Sequence, residues 1–227
     1  MRIDNAIVTS HKVRVWDLPT RLFHWTLVAL IAAQLVTASI GGNLMDLHFR
    51  SGYAIFTLLL WRIVWGFVGG RWSRFASFVY GPSAVLVYLR GKAPSAHSVG
   101  HSPLGAGSVF ALLALLSAQV ASGLFSDDDI AYSGPLARLV SNDWVSDATN
   151  WHTAWGKYIL LALIALHIAA IAYYRWRKKQ HLTEPMIVGD KQLVQAALPS
   201  RDDAASRLAA LVVLLVCAGL VWWVVNR

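Results

Sequence analysis

Charge is scarce in this sequence and cysteine is nearly absent. Only 14% of the 227 residues are Asp, Glu, Lys or Arg, where a water-soluble domain of this length would carry about a quarter. The one cysteine, Cys217, lies inside an apolar run, so no disulfide closes within the chain and no Cys-x-x-Cys-His site exists for covalent haem attachment. Acidic residues number 12 against 20 basic ones. The resulting +8 would suit nucleic acid on a polar surface, but it is spread over the connections between apolar runs, which argues for membrane orientation and against a nucleic-acid partner. Residues 1–21 lack an apolar core, so no cleavable signal peptide is expected. No internal repeat or low-complexity tract stands out. What the chain has in excess is hydrocarbon: 56% of residues are hydrophobic and mean hydropathy is +0.50. Eleven tryptophans and seven tyrosines, several at the edges of apolar runs, suit the headgroup region, where amphipathic rings act as anchors. These features describe an integral membrane protein with lipid as its first partner.

A hydrocarbon core of about 30 Å takes roughly 20 residues of helix. Five stretches qualify or nearly qualify: 22–40 after Pro19, 47–68, 104–125 behind Pro103, 150–174, and 206–225 with Trp222-Trp223 at its far edge. The fold expected is an all-α transmembrane bundle. Residues 1–21 form a cytoplasmic N-terminal segment, 22–191 a four-helix domain, and 192–227 a linker with an additional transmembrane helix. Within the second connection, 80–89 is predicted as a short helix on the membrane surface. Fifteen of the twenty lysines and arginines, from Arg2 to Arg207, fall in the N-terminal segment and the second and fourth connections. Such residues accumulate on the cytoplasmic side, so the N-terminus is expected in the cytoplasm and the C-terminus in the periplasm of a bacterial inner membrane.

Threading fixes the depth of four histidines. The first span runs outward and starts near His24; the second runs inward and starts near His48. The fourth also runs inward, from His152 to His167, fifteen residues further on and about 22 Å deeper at 1.5 Å per residue. His24 is thus level with His167, and His48 with His152. Fifteen residues at about 100° each leave His152 and His167 only about 60° apart in projection, so both can face one bundle interior. Each histidine taken singly would read as an interfacial side chain. Two pairs matched in depth read instead as axial ligands, because neutral imidazole binds iron and two of them leave no open position for oxygen or substrate. Zinc is the rival metal, but two ligands per level fall short of its usual three or four. The expectation is two non-covalent, bis-histidine b haems.

Haem propionates need cationic partners, and arginine suits carboxylates. Arg50, two residues after His48, is placed to serve the outer haem, and Arg62, roughly 21 Å along the same helix, the inner one. Snorkelling to the headgroups is the alternative for both. Gly52 and Gly66 would admit close approach of porphyrin or of another helix. His97 and His101 fall in a Gly/Pro-containing connection and are expected to be surface residues, with a part in quinone protonation as the sharper alternative for His101. His11 and His181 read as solvated. Asp127-Asp128-Asp129 is expected to hold its loop outside, docking of a basic redox protein being the alternative.

Several segments resemble the bacterial cytochrome b561 family: Pro19-Thr20-Arg21-Leu22-Phe23-His24-Trp25; Leu47-His48 followed by Gly52-Tyr53; Arg62-Ile63-Val64-Trp65-Gly66-Phe67-Val68-Gly69; Gly100-His101-Ser102-Pro103-Leu104-Gly105; and Met186-Ile187-Val188-Gly189-Asp190-Lys191. That family includes the b-type subunits of membrane-bound nickel-iron hydrogenases, and the likeness covers about residues 13–191. It implies a four-helix core with two b haems, ligated at the positions of His24, His48, His152 and His167, and electron exchange with the quinone pool. The chain departs from the family's pattern in its fifth span, which would cover the bundle or meet a partner subunit. Arg50 and Ser51 are also more polar than that pattern between histidine and glycine.

The function expected is an electron relay between a periplasmic or membrane redox partner, such as a c-type cytochrome or a hydrogenase-like subunit, and quinone bound near Arg21 and Arg62. Quinone reductase or quinol oxidase activity would belong to that relay, since reversed flow uses the same parts. A self-sufficient superoxide:quinone oxidoreductase and a non-redox scaffold or transporter are the readings from other classes, and the sequence leaves oligomer formation open. Replacing His24 or His167 with alanine should abolish one haem signal in the difference spectrum and spare the other, with His48 and His152 the complementary pair. Loss of one common signal in His24→Ala and His48→Ala would overturn the threading.

Overall fold

The computed structural model describes residues 10–227, Ser95 as backbone only. Residues 1–9 of the 1–21 segment, Arg2 among them, lie outside the described residues. In chain order the elements are β1 (His11–Arg14), α1 (Leu18–Ile40), α2 (Met45–Val68), α3 (Pro82–Leu89), α4 (Pro103–Phe125), α5 (Asn142–Asn150), a single π turn (Trp151–Trp155), α6 (Gly156–Trp176), α7 (Thr183–Val188), β2 (Asp190–Leu193) and α8 (Ala204–Val225). Among the described residues five helices are long and apolar enough to cross a membrane: α1, α2, α4, the continuous α5–α6 rod and α8. The chain is an all-α transmembrane bundle.

Polar caps set the helix starts. The carboxylate of Asp17 accepts from the Thr20 N–H at 2.8 Å and Pro19 occupies the first turn of α1, where its missing N–H costs nothing. Ser102 caps α4 ahead of Pro103, and Asp203 caps α8 by accepting from the Ser206 N–H at 2.7 Å. With these caps α1 begins at Leu18 and α8 at Ala204, ahead of the expected starts at 22 and 206. The fourth span departs further, beginning at Asn142 instead of 150. Its first two turns are polar, so hydropathy gives no sign of them; Ser141 caps them by accepting from the Trp144 N–H. The surface helix expected at 80–89 is α3, opened by Pro82.

One element falls outside the helical expectation. β1 pairs antiparallel with β2, Arg14 opposite Asp190, and Arg14 Nε reaches the Asp190 carboxylate at 2.6 Å while its Nη1 reaches Asp202 at 2.8 Å. Four-residue strands carry too little periodicity to be read from a sequence.

The bundle core joins Phe23 and Leu27 of α1, Ile55, Leu59, Trp61 and Trp65 of α2, Leu116 of α4, Leu160 of α6 and Ala210 and Cys217 of α8. Phe23, Trp61 and Trp65 stack in sequence at 5.6 and 5.3 Å, and the Trp61 indole donates to Ala210 O at 3.0 Å, seating α8 on α2. The outward faces of the spans stay apolar and exposed, as lipid contact requires.

Asp17 organises the end of the bundle that gathers the basic connections. Fully buried, it also accepts from Gly70 N–H at 3.1 Å, Ser73 Oγ at 2.9 Å and the Trp65 indole at 3.4 Å. One carboxylate thereby ties the start of α1 to the end of α2 and to the connection beyond it. A Cβ at Gly70 would stand 2.4 Å from Asp17 Oδ2, so only glycine permits that approach. Asp17→Ala leaves several buried donors without an acceptor and should cost roughly 3 kcal/mol. The unfolding midpoint in detergent should fall by several degrees and be partly kept by Asp17→Asn, which retains an acceptor oxygen; an unchanged midpoint for the alanine variant would contradict this role.

Candidate functional site

The outer level is built by two hairpins, α1 with α2 and α4 with the α5–α6 rod. His48 lies in the first turn of α2 and His152 in the π turn, a distortion that recurs at functional sites. Their ring centroids are 6.1 Å apart with planes at 88°. Both line a cavity of about 380 Å³ walled also by Gln34, Gly52, Gln119 and Gly123.

Hydrogen bonding assigns the tautomers. His152 Nδ1 lies 2.8 Å from Gln119 O; a carbonyl only accepts, so this nitrogen carries the proton. His48 Nδ1 lies 3.2 Å from Thr37 Oγ1, whose own proton goes to Ala33 O at 2.8 Å, making the hydroxyl the acceptor here too. Each neutral imidazole then keeps its Nε2 lone pair for a metal. The spacing fits one ion between the rings. First-row metals bind imidazole nitrogen at about 2.0–2.1 Å, and with about 1.1 Å from nitrogen to ring centre on each side the centroids would stand roughly 6 Å apart.

The inner level holds His24, in the second turn of α1, and His167 on α6. Both are half-buried, and their charged forms would lie within electrostatic reach of each other. Ser108 Oγ is 3.4 Å from His167 Nδ1; His24 Nδ1 is buried without a hydrogen-bond partner among the described residues. The structure thus brings the rings of His48 and His152 face to edge and places His24 within electrostatic reach of His167.

The arginines separate. Arg62 is buried, 3% exposed, with its guanidinium 4.8 Å over the Phe75 ring and Nη1 lacking an acceptor among the described residues. Arg21 donates from Nη1 to Ile187 O while its buried Nε lacks a partner. Arg50 is exposed and does not line the cavity beside His48; the helical turn that aims His48 inward carries a side chain two residues on to another face.

The structure changes the reading of His97 and His101 and sharpens that of Gly66 and Asp128. His101 is not a surface residue: its ring packs 4.6 Å from Trp16 and 4.3 Å from Phe78 with Nδ1 buried. His97 is likewise half-buried beside Tyr80, at 4.9 Å. The second connection folds back over the basic end and covers both, which local Gly/Pro content does not reveal. Gly66 faces the Phe75 ring, 2.1 Å from a Cβ placed there, so its small size serves an aromatic contact. Asp128 closes its own loop, accepting from the N–H groups of Tyr132, Ala131 and Ile130, which hold its carboxyl below the usual carboxylate range.

Sequence reasoning missed Gln34, Thr37, Gln119, Ser122 and Gly123, the last with a Cβ position only 2.7 Å from His152 Cε1. A signal was present: Gln-x-x-Thr in α1 matches Gln-x-x-Ser in α4, and His48 and His152 are each followed by glycine four residues on.

Residues 15–189 match the family model described as prokaryotic cytochrome b561. The chain is 28% identical over 196 residues to the Escherichia coli K12 protein named "Probable Ni/Fe-hydrogenase 1 B-type cytochrome subunit", covering 71% of this chain and 82% of that one. It is 26% identical over 216 residues to the Bradyrhizobium diazoefficiens protein named "Probable Ni/Fe-hydrogenase B-type cytochrome subunit", covering 79% and 86%. No solved structure gives a significant match. A matched span of this extent, on a bundle of apolar helices enclosing inward-facing histidines, means that the chain belongs to the prokaryotic cytochrome b561 family of multi-pass membrane proteins and transfers electrons through b-type haem.

Proposed function

We propose that the chain holds two b haems, the outer between His48 and His152 and the inner between His24 and His167, and relays electrons between a periplasmic or membrane-bound redox partner and quinone in the bacterial inner membrane. The observation that carries this reading is the outer ring pair, 6.1 Å apart with both Nδ1 atoms engaged by the protein. Bound haem would supply a one-electron iron couple at the level of each histidine pair.

The chain's own residues have three tasks. The four histidines bind through Nε2, and His48, His152 and His167 are steadied by contacts at Nδ1. Arg62 and Arg21 each keep a buried N–H without an acceptor among the described residues, and a buried donor left unmet in the membrane is expensive even with Asp17 within electrostatic reach of Arg62; Arg62 supports a propionate of the inner haem, and Arg21 a quinone oxygen beside it. The apolar core between the two levels, Leu116, Leu160 and Ile55 among it, excludes water from the path.

The redox partner is a hydrogenase-like subunit, the class named in the relatives, with a c-type cytochrome as the other chemistry that would serve. The N-terminus is cytoplasmic and the C-terminus periplasmic. This rests on the convergence of the basic connections at one end, where Trp72 bonds Leu198 O and Lys191 bonds Ser98 O; the aspartate loop lies at the other.

Purified protein should yield two haem b per chain by pyridine haemochrome and a b-type reduced-minus-oxidised spectrum, and reduced quinone added under argon should reduce part of it. Well-folded protein without haem would overturn the proposal. Arg62→Leu should lower occupancy of the inner haem several-fold while leaving the outer one in place, and Arg62→Lys should restore part of it; equal loss at both haems would contradict the assignment.

A further inference from the structure

The contacts around the outer pair occur twice. Gln34 of α1 donates its amide to His48 O at 2.7 Å, and Gln119 of α4 donates its amide to His152 O at 2.7 Å. Three residues after each glutamine, nearly one helical turn, a hydroxyl lies by the same histidine's Nδ1: Thr37 at 3.2 Å and Ser122 at 3.4 Å, the latter beside Gln119 O, which takes the His152 Nδ1 proton at 2.8 Å and the Ser122 hydroxyl proton at 3.0 Å. Four residues after each histidine, a glycine faces the glutamine, with a Cβ position 3.4 Å from Gln34 Nε2 at Gly52 and 2.3 Å from Gln119 Oε1 at Gly156. The helices that carry the histidines differ, one regular and one interrupted by a π turn, so the repeat belongs to the contacts and not to the backbone.

We propose that Gln34 with Thr37, and Gln119 with Ser122, are two copies of one positioning device, which together hold the ligand imidazoles with their planes perpendicular. The inference rests on the haem assignment above. A histidine's second side-chain torsion is broad, so its rotamer alone does not set the ring plane. A hydrogen bond at Nδ1 does, and it also keeps Nε2 free for iron. The glutamine amide acts one step back, on the peptide carrying the ring. In the π turn a carbonyl bonds the N–H five residues on instead of four, and Gln119 gives the His152 carbonyl a donor from the neighbouring helix. With both peptides and both Nδ1 atoms held from the neighbouring helix, the two rings meet at 88°.

Ring orientation has a spectroscopic consequence. Axial imidazoles at right angles donate equally into the two iron d orbitals perpendicular to the haem plane and keep them nearly degenerate, whereas parallel rings split them. The ferric low-spin centre is then strongly anisotropic in electron paramagnetic resonance, with its largest g value above that of a parallel pair.

The test uses the full-length ferric protein with its haems as purified, the outer signal being the one that survives in His24→Ala. That signal should be of the strongly anisotropic kind. Thr37→Val should move its largest g value toward the parallel-ligand range without moving the inner signal, Ser122→Ala should move it less because Gln119 O still accepts from His152 Nδ1, the double variant should move it furthest, and Thr37→Ser and Ser122→Thr should restore it. An outer signal of the parallel type in the unaltered protein overturns the inference, as does a double variant that keeps both haems with the outer g value unmoved, which would make these contacts helix adhesion only. The first of these measurements needs no variant to fold. Protein that binds no haem at all would instead refute the haem assignment, a different outcome.

Discussion

An imidazole buried in hydrocarbon has two nitrogens to satisfy, and in this bundle neighbouring helices satisfy one of them. Thr37 on α1 takes Nδ1 of His48 on α2, Gln119 and Ser122 on α4 take Nδ1 of His152 in the π turn, and Ser108 on α4 lies beside Nδ1 of His167 on α6. The remaining nitrogen of each ring has no water to turn to at membrane depth. The helix pairing of the bundle sets these contacts: α1 lies on α2, and α4 on α6, so that each hydroxyl reaches its ring.

The basic end obeys a related constraint with the opposite sign. Asp17 is a buried anion surrounded by donors, and it fixes where α1 begins relative to the end of α2. Arg62, three residues before Trp65 on the same helix, is left with a buried donor to spare. Structural order and an unmet polar group therefore sit side by side: the first holds the helix ends still, and the second presents a cation to whatever anionic group enters the inner site.

The five spans were legible because lipid demands long apolar helices, and the depth of each histidine followed from counting along them. Their outer ends were less legible. α5 is polar, and a polar first turn is invisible to hydropathy although Ser141 caps it. The β1–β2 pair was invisible for another reason: its strands are 176 residues apart at Arg14 and Asp190, and each is too short to show alternation. His101 reads as a loop residue beside glycine and proline, yet its ring is half-buried, packed between Trp16 and Phe78. Arg50 looked close to its site by number, yet two residues along a helix turn a side chain some 200° away.

From its sequence alone this chain had to be a helical membrane protein with four histidines at two depths, since composition, span length and rise per residue admit little else. Tertiary structure decided which atoms of those rings are free. That depends on Gln34, Thr37, Gln119 and Ser122, which sit on the helices next to their targets; hydrogen bonds of about 3 Å between separate helices leave no mark in the spacing of either helix until the two are packed together.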